Sequence, residues 1–324
     1  MIILFLADGS SKIGMGHVYR SINLANELKN DYEIIFITRE KVSFKFFKKY
    51  FECFFIDRKD ITKEKKILEK IKPNLVIIDK LKERNITINN INRICSNILS
   101  IDYTKNNTQK IKHGITMLYP YSAFSSQNTT LKYTIIDKKF RKNKISNLRK
   151  TVKKIIILQG GSDTYCFTPN IVKSFNSVPF DVQLTVITGP SFNCWKQLND
   201  SINSSTKKIR VLHNVKNMPG ILKNYDLAIT AGGMTLLELA CVGLPSLIIC
   251  GERFEIETAK LLEKYGFGKN LGFGKNVSTK KLNSEISAII TDFNTRKSMK
   301  LCGQKLIDGN GVFRVKKLIR SLII

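Results

Sequence analysis

Short apolar runs bounded by polar or turn-forming residues alternate along this chain with stretches whose apolar residues recur at helical spacing. That is the pattern of a parallel α/β sheet with strands buried on both faces. In the first half, Ile2–Ala7, Glu33–Thr38, Cys53–Ile56, Leu75–Asp79 and Ile98–Asp102 predict strands, with helices between them. A less regular stretch follows, with polar clusters at Asn106–Lys112 and Ser122–Thr130, then nine lysines or arginines between Lys138 and Lys154. The alternation then restarts with Ile155–Gln159, Gln183–Thr188, Ile209–His213, Leu227–Thr230 and Ser246–Cys250, and a basic amphipathic helix runs from near Gly311 through Val315 to Leu322. The pattern is written twice, so the expected fold class is α/β with two Rossmann-like parallel-sheet domains facing a cleft, ligands lying beyond the carboxyl ends of the strands.

Composition narrows the function classes. With 324 residues, 43% of them hydrophobic, the chain can bury two ordinary cores, which excludes a disordered or fibrous protein. The net charge of +28 invites a nucleic-acid or membrane reading. Its distribution argues otherwise: residues 1–150 hold 30 basic and 14 acidic side chains and residues 151–324 hold 24 and 12, with no basic arm and no aromatic-rich basic patch. No nucleic-acid partner is therefore expected, and the charge draws in anionic substrates such as phosphate esters. The 138–154 run reads as a hydrated interdomain linker, with peripheral contact to anionic lipid as its rival reading.

Seven scattered cysteines (53, 95, 166, 194, 241, 250 and 302) and three histidines give no zinc spacing, so no metal and no cofactor is expected. The thiols read as buried and reduced in a cytoplasmic protein. The apolar start, Met1–Ala7, is too short to span a membrane and reads as a first strand.

Three glycine loops carry the candidate chemistry. The first strand ends in Asp8-Gly9-Ser10-Ser11-Lys12-Ile13-Gly14-Met15-Gly16-His17-Val18-Tyr19-Arg20 and leads into a helix. Gly14 and Gly16 let a backbone approach a ligand closely, and the N–H groups of the helix start favour an anion. The loop is neither a Walker A sequence nor a full dinucleotide fingerprint. By itself the Gly-x-Gly turn also reads as merely structural, and His17, in the first helical turn beside Arg20, reads either as a structural histidine or as one placed to stay available as a general base. His113 and His213 read as bystanders. Gly160-Gly161-Ser162-Asp163 and Gly232-Gly233-Met234-Thr235 follow strands of the second half. Glu238 either completes a capping box with Thr235 or accepts the hydroxyls of a ribose whose diphosphate lies on the preceding N–H groups. Position alone leaves both open.

Taken together, Asp8 with Gly14-x-Gly16-His17-x-x-Arg20, Gly160-Gly161-Ser162-Asp163, Ala231-Gly232-Gly233-Met234-Thr235-x-x-Glu238-x-Ala240-x-x-Gly243-x-Pro245 and Asp308-Gly309-x-Gly311 resemble a known family. It is the UDP-2,4-diacetamido-2,4,6-trideoxy-β-L-altropyranose hydrolase family of pseudaminic acid synthesis, with the related spore-coat polysaccharide proteins. The resemblance implies a GT-B fold: an N-terminal domain over 1–137 with catalytic His17, the linker 138–154, a nucleotide-binding domain over 155–306, and a helix over 307–324 returning to the first domain. It puts the UDP-sugar on Gly14, Gly16, Arg20, Gly160, Gly161, Ser162, Gly232, Gly233, Met234, Thr235 and Glu238, the last on the ribose. The chain departs from the family pattern at Lys80-Leu81, where His-Tyr is usual, at Phe254-Glu255, where Asn-Gln is, and at Asp137, where an arginine often stands.

The expected activity is inverting, metal-independent hydrolysis of a UDP-deoxyamino sugar. UDP leaves as a stable anion, so one base suffices where glycosidases use two carboxylates. The rival readings are a GT-B glycosyltransferase with a membrane or glycan acceptor, and a non-catalytic basic binding protein.

Overall fold

The computed structural model describes residues 1–10, 14–57, 59–80, 85–101, 113–115 and 131–323. Asp102, Leu81 and the polar clusters Asn106–Lys112 and Ser122–Thr130 lie outside the described residues. Two compact units are present: Met1–Asp137 with Gly309–Ile324, and Lys138–Asp308.

The first unit is built on six parallel strands, β1 (Ile2–Ala7), β2 (Glu33–Thr38), β3 (Glu52–Phe55), β4 (Leu75–Asp79), β5 (Ile98–Ile101) and β6 (His113–Ile115), in the order β3-β2-β1-β4-β5-β6. β1 is apolar throughout because both of its faces are covered. Ile3, Phe5 and Ala7 join the cluster of α1 (Gly16–Leu28) through Val18, Leu24, Ala25 and Leu28, while Leu4 and Leu6 join Ile88, Ile91 and Leu68 on the other face. Each of these valine, leucine, isoleucine and phenylalanine side chains contributes about 1.5–3 kcal/mol on leaving water. Phe36 of β2 stacks on Phe5 at 4.9 Å and on Phe47 at 4.2 Å.

The terminal helix α13 (Gly311–Leu322) belongs to this unit: Val312, Val315 and Ile319 enter the α1 cluster, and Lys316 and Arg320 meet Asp31 at 2.7 and 2.9 Å. Gly311 is required at its start, since a Cβ there would stand 2.0 Å from the Thr134 carbonyl oxygen.

The second unit repeats the topology. Its strands β7 (Lys154–Leu158), β8 (Gln183–Thr188), β9 (Ile209–His213), β10 (Leu227–Thr230), β11 (Ser246–Cys250) and β12 (Lys269–Phe273) run in the order β12-β11-β10-β7-β8-β9. In both sheets the first and fourth strands of the unit are neighbours and the order reverses between them. That reversal makes a crevice beyond their carboxyl ends.

Two expectations change. Residues 138–154 are packed on the second unit instead of forming a hydrated linker: Phe140, Ile145 and Val152 are buried between the charged positions, and the Ile145 N–H donates to the Val242 carbonyl at 2.8 Å. The buried Arg296 guanidinium donates to the carbonyls of Ile289, Ile290 and Lys150. Two of the seven cysteines are not free thiols either. Cys166 and Cys194 form a disulfide with Cα atoms 5.8 Å apart, because they open the adjacent helices α6 (Phe167–Ser174) and α7 (Trp195–Asn203). Among the described residues no helix is long and apolar enough to cross a membrane.

Candidate active site

In the first unit the loops after β1 and β4 leave the sheet where its order reverses. Ser10 and Gly14 close the first loop through an N–H to carbonyl bond of 3.2 Å, with Gly14 at φ +77°, a conformation costly for residues other than glycine. Gly9 is equally constrained, since a Cβ there would lie 2.6 Å from Val18. The turn delivers the chain to Gly16, so His17 falls in the first turn of α1 and is buried.

Its Nδ1 lies 2.7 Å from Oδ1 of Asp79, the last residue of β4. Arg20 Nη2, which only donates, lies 2.9 Å from the same Nδ1. With Asp79 as the shorter contact, Nδ1 carries the proton and Nε2 the lone pair, the tautomer of a general base, and Arg20 Nη2 then donates to Asp79 instead. Asp79 also accepts from Arg20 Nε at 3.0 Å, from Arg20 Nη2, and from Ser21 Oγ at 2.9 Å. Burial pushes the Asp79 carboxyl up, but Arg20 and His17 outweigh it and hold the group well below the usual carboxylate range. Arg20, expected to touch substrate, is thus buried against Asp79 in the floor beneath the imidazole.

A second buried pair flanks the first. Asp8 accepts from Thr38 Oγ1 at 2.8 Å and the Arg39 N–H at 2.7 Å, and meets Lys80 Nζ at 3.0 Å. Burial opposes this carboxylate as well, and Lys80 with the Arg39 amide more than offsets it, lowering its pKa. Arg39 in turn reaches Glu64 at 2.6 Å and Thr87 at 3.0 Å. Lys80, one of the departures from the family pattern, therefore ties the β4 loop to the β1 loop.

In the second unit Gly160 (φ +74°) and Gly161 turn away from β7, and the buried Asp163 caps α6, accepting from the N–H groups of Phe167 and Thr168 at 2.8 Å each. Its desolvation outweighs these bonds and raises its pKa. Ser162 Oγ lies 3.2 Å from Thr164 Oγ1. The neighbouring strand β10 leads into Gly232 and Gly233, the latter capping α9 (Met234–Val242). Thr235 is thus the second residue of the helix, not its cap, so Thr235 and Glu238 do not form a capping box. Glu255 accepts through Oε2 from the N–H groups of Gly232, Gly251 and Glu252. Gly160, Gly161 and Ser162 therefore follow β7 at the sheet edge where Gly232 and Gly233 follow the neighbouring β10, with Met234, Thr235 and Glu238 in the first half of α9, while Gly14, Gly16, His17 and Arg20 belong to the first unit. Among the described residues no group of three or more His, Cys, Asp or Glu side chains is arranged to hold a metal ion.

Residues 125–309 match the glycosyltransferase family 28 C-terminal domain. The chain belongs to that family. Spore coat polysaccharide biosynthesis protein SpsG of Bacillus subtilis is 26% identical over 99% of this chain and 98% of its own, in line with the family resemblance of the loop motifs. An uncharacterized protein of Methanocaldococcus jannaschii is 33% identical over 77% of this chain, which spans 55% of that relative's length. Among solved structures, MurG of Acinetobacter baumannii superposes with a TM-score of 0.73 at 14% identity, covering 99% of both chains. Anabaena Alr3699/HepE, solved with UDP and glucose, gives 0.64 at 11% identity over 99% and 100%. The fold of this family 28 member is GT-B.

Sequence reasoning missed three partners: Asp79 for His17, Lys80 for Asp8, and Glu255 for the Gly232 loop. Asp79 had a signal, since it is the one charged residue in the otherwise apolar run Leu75–Asp79.

Proposed function

We propose that this family 28 protein hydrolyses the anomeric C–O bond of a UDP-linked deoxyamino sugar with inversion, releasing UDP and the free sugar. The observation that carries the reading is the buried His17–Asp79 contact in the first unit; on it, Nδ1–H donates to Asp79 and Nε2 is the proton acceptor. In this reading His17 takes the proton of the attacking water, a contribution of roughly 10² to 10⁴ in rate. Asp79 and Arg20 fix the ring without touching substrate. In the second unit the N–H groups of the Gly160–Gly161 and Gly232–Thr235 loops carry the diphosphate charge, and Glu238 takes the ribose hydroxyls. No step in this scheme asks for a metal ion. The SpsG relationship over nearly the whole chain supports a sugar-processing role in polysaccharide synthesis, and the UDP in the HepE structure supports the nucleotide.

The family name favours a second reading, transfer of the sugar to an acceptor hydroxyl that His17 activates in place of water. One experiment separates them: an anomer-resolved proton NMR time course with UDP-2,4-diacetamido-2,4,6-trideoxy-L-altrose and no acceptor, wild type beside His17→Ala. Inverted free sugar from the wild type alone supports hydrolysis. Turnover that requires an added acceptor supports transfer, and full turnover by the variant removes His17 from both schemes.

A further inference from the structure

Beyond β11 the chain turns through Gly251–Phe254 into α10 (Glu255–Lys264), and Glu255, the first residue of that helix, folds back over the turn. Its Oε2 accepts from Gly251 N at 2.8 Å and Glu252 N at 3.2 Å. These two bonds are local, of the kind any glutamate in a first helical turn makes with the residues before it. The third is not: Oε2 also accepts, at 3.2 Å, from Gly232 N, 23 residues away in the loop that opens α9. The two loops touch closely. A Cβ on Gly232 would lie 2.8 Å from the Glu255 carbonyl oxygen, and one on Gly233 would lie 2.9 Å from Oε1. A half-buried carboxylate thus stands where three convergent amides and a helix start would receive an anionic ligand oxygen.

We propose that Glu255 is an internal anion of the nucleotide loop: it holds Gly232 in the ligand-free protein and gives up its charge, by taking a proton, when a nucleoside diphosphate binds at the start of α9. The proposal rests on reading the second unit as the nucleotide-binding half. Two negative groups beside one set of amides repel, and the cheaper way out for a partly desolvated carboxylate is neutralisation. Burial already raises the Glu255 pKa against the pull of its three amides, and the Glu252 carboxylate adds to the rise. The other titratable neighbour is the Cys250 thiol at the end of β11, itself pushed up to about 12 by burial and by Glu255. A bound diphosphate raises the carboxyl further. Binding then takes up a proton between the two values, and affinity falls as pH rises through that window. Glu255→Gln keeps a carbonyl for the amides without the charge.

The test is calorimetric titration with UDP across roughly pH 5.5 to 8 for wild type and Glu255→Gln, each in two buffers of different ionisation enthalpy. Titration of the ligand's own phosphate is common to both proteins. Wild type is expected to take up up to one proton more than the variant, and to lose up to about tenfold in relative affinity per pH unit within the window. Parallel profiles with equal proton uptake overturn the proposal while leaving the nucleotide reading intact; Glu255 is then a loop lock only. Failure of both proteins to bind UDP at any pH overturns both. Should the variant misfold by circular dichroism, the wild-type proton count decides alone, and uptake no greater than the phosphate of UDP accounts for overturns the proposal.

Discussion

His17 and Asp79 are 62 residues apart in sequence, yet His17 Nδ1 lies 2.7 Å from Asp79 Oδ1. The contact follows from topology: β1 and β4 pair in parallel with Ala7 beside Asp79, so the helix entered from β1 and the end of β4 share one crevice. Asp79→Asn is expected to lower kcat by about 10² to 10⁴ with little change in KM, because an amide no longer selects the tautomer with its lone pair on Nε2. The double variant His17→Ala/Asp79→Asn should lose scarcely more than His17→Ala, as residues acting as one unit do. Steady-state kinetics check both, and additive losses would show that Asp79 acts elsewhere.

Asp79 also makes stability depend on pH. Its folded pKa is depressed, so its contribution is full above the ordinary carboxylate value of about 4 and is lost as pH falls below that toward the folded value. Asp79→Asn leaves the guanidinium of Arg20 buried beside a neutral group, at a cost of about 3–5 kcal/mol near neutral pH. Urea unfolding from neutral to acid pH should show a wild-type stability falling more steeply in acid than that of the variant. Parallel curves would exclude the linkage.

The central strands were legible because each is a short apolar run with both faces covered; β1, β2, β4, β8, β10 and β11 begin and end where the runs do, as does the edge strand β9. The edges β6 and β12 were not. β12 reads Lys-Asn-Leu-Gly-Phe with Gly272 at φ +93°, which lacks both alternation and an apolar run, and β6 is three residues long. Of the site, the glycine loops and His17 stood out through their residue types, which are local signals. Asp79, Lys80 and Glu255 did not, because their roles come from strand neighbours that sequence spacing does not encode. The basic 138–154 run misled for a related reason: its charges dominate the composition, while the few apolar residues that anchor it, such as Ile145, find their partners in residues as distant as Val242 and Gln304.

The Cys166–Cys194 disulfide closes a loop of 28 residues that contains β8 and joins the starts of α6 and α7. The chain-entropy estimate for a loop of that length is about 3–4 kcal/mol. Reduction, or Cys166→Ser with Cys194→Ser, should lower unfolding free energy by up to that amount, measured in urea with and without a reductant. The double serine variant should be insensitive to the reductant. If wild type is equally insensitive and labels as seven free thiols on unfolding, the bond is not formed in solution.

Gly161 and Gly189 offer a contrast that separates packing from ligand contact. A Cβ on Gly189 would lie 2.4 Å from Gly161 Cα and from its carbonyl oxygen, so Gly189→Ala must displace the Gly160–Asp163 loop; overpacking of this kind costs about 1–3 kcal/mol. A Cβ on Gly161 meets nothing within 4 Å among the described residues. Gly161→Ala should therefore keep the melting temperature of the wild type and yet bind UDP about tenfold or more weakly, since the added methyl stands where a diphosphate approaches the backbone. Gly189→Ala should lose both stability and affinity. Thermal melts and calorimetric UDP titrations decide. A Gly161→Ala protein that binds UDP like the wild type would move the diphosphate off this loop and leave the amides at the start of α9 to carry its charge.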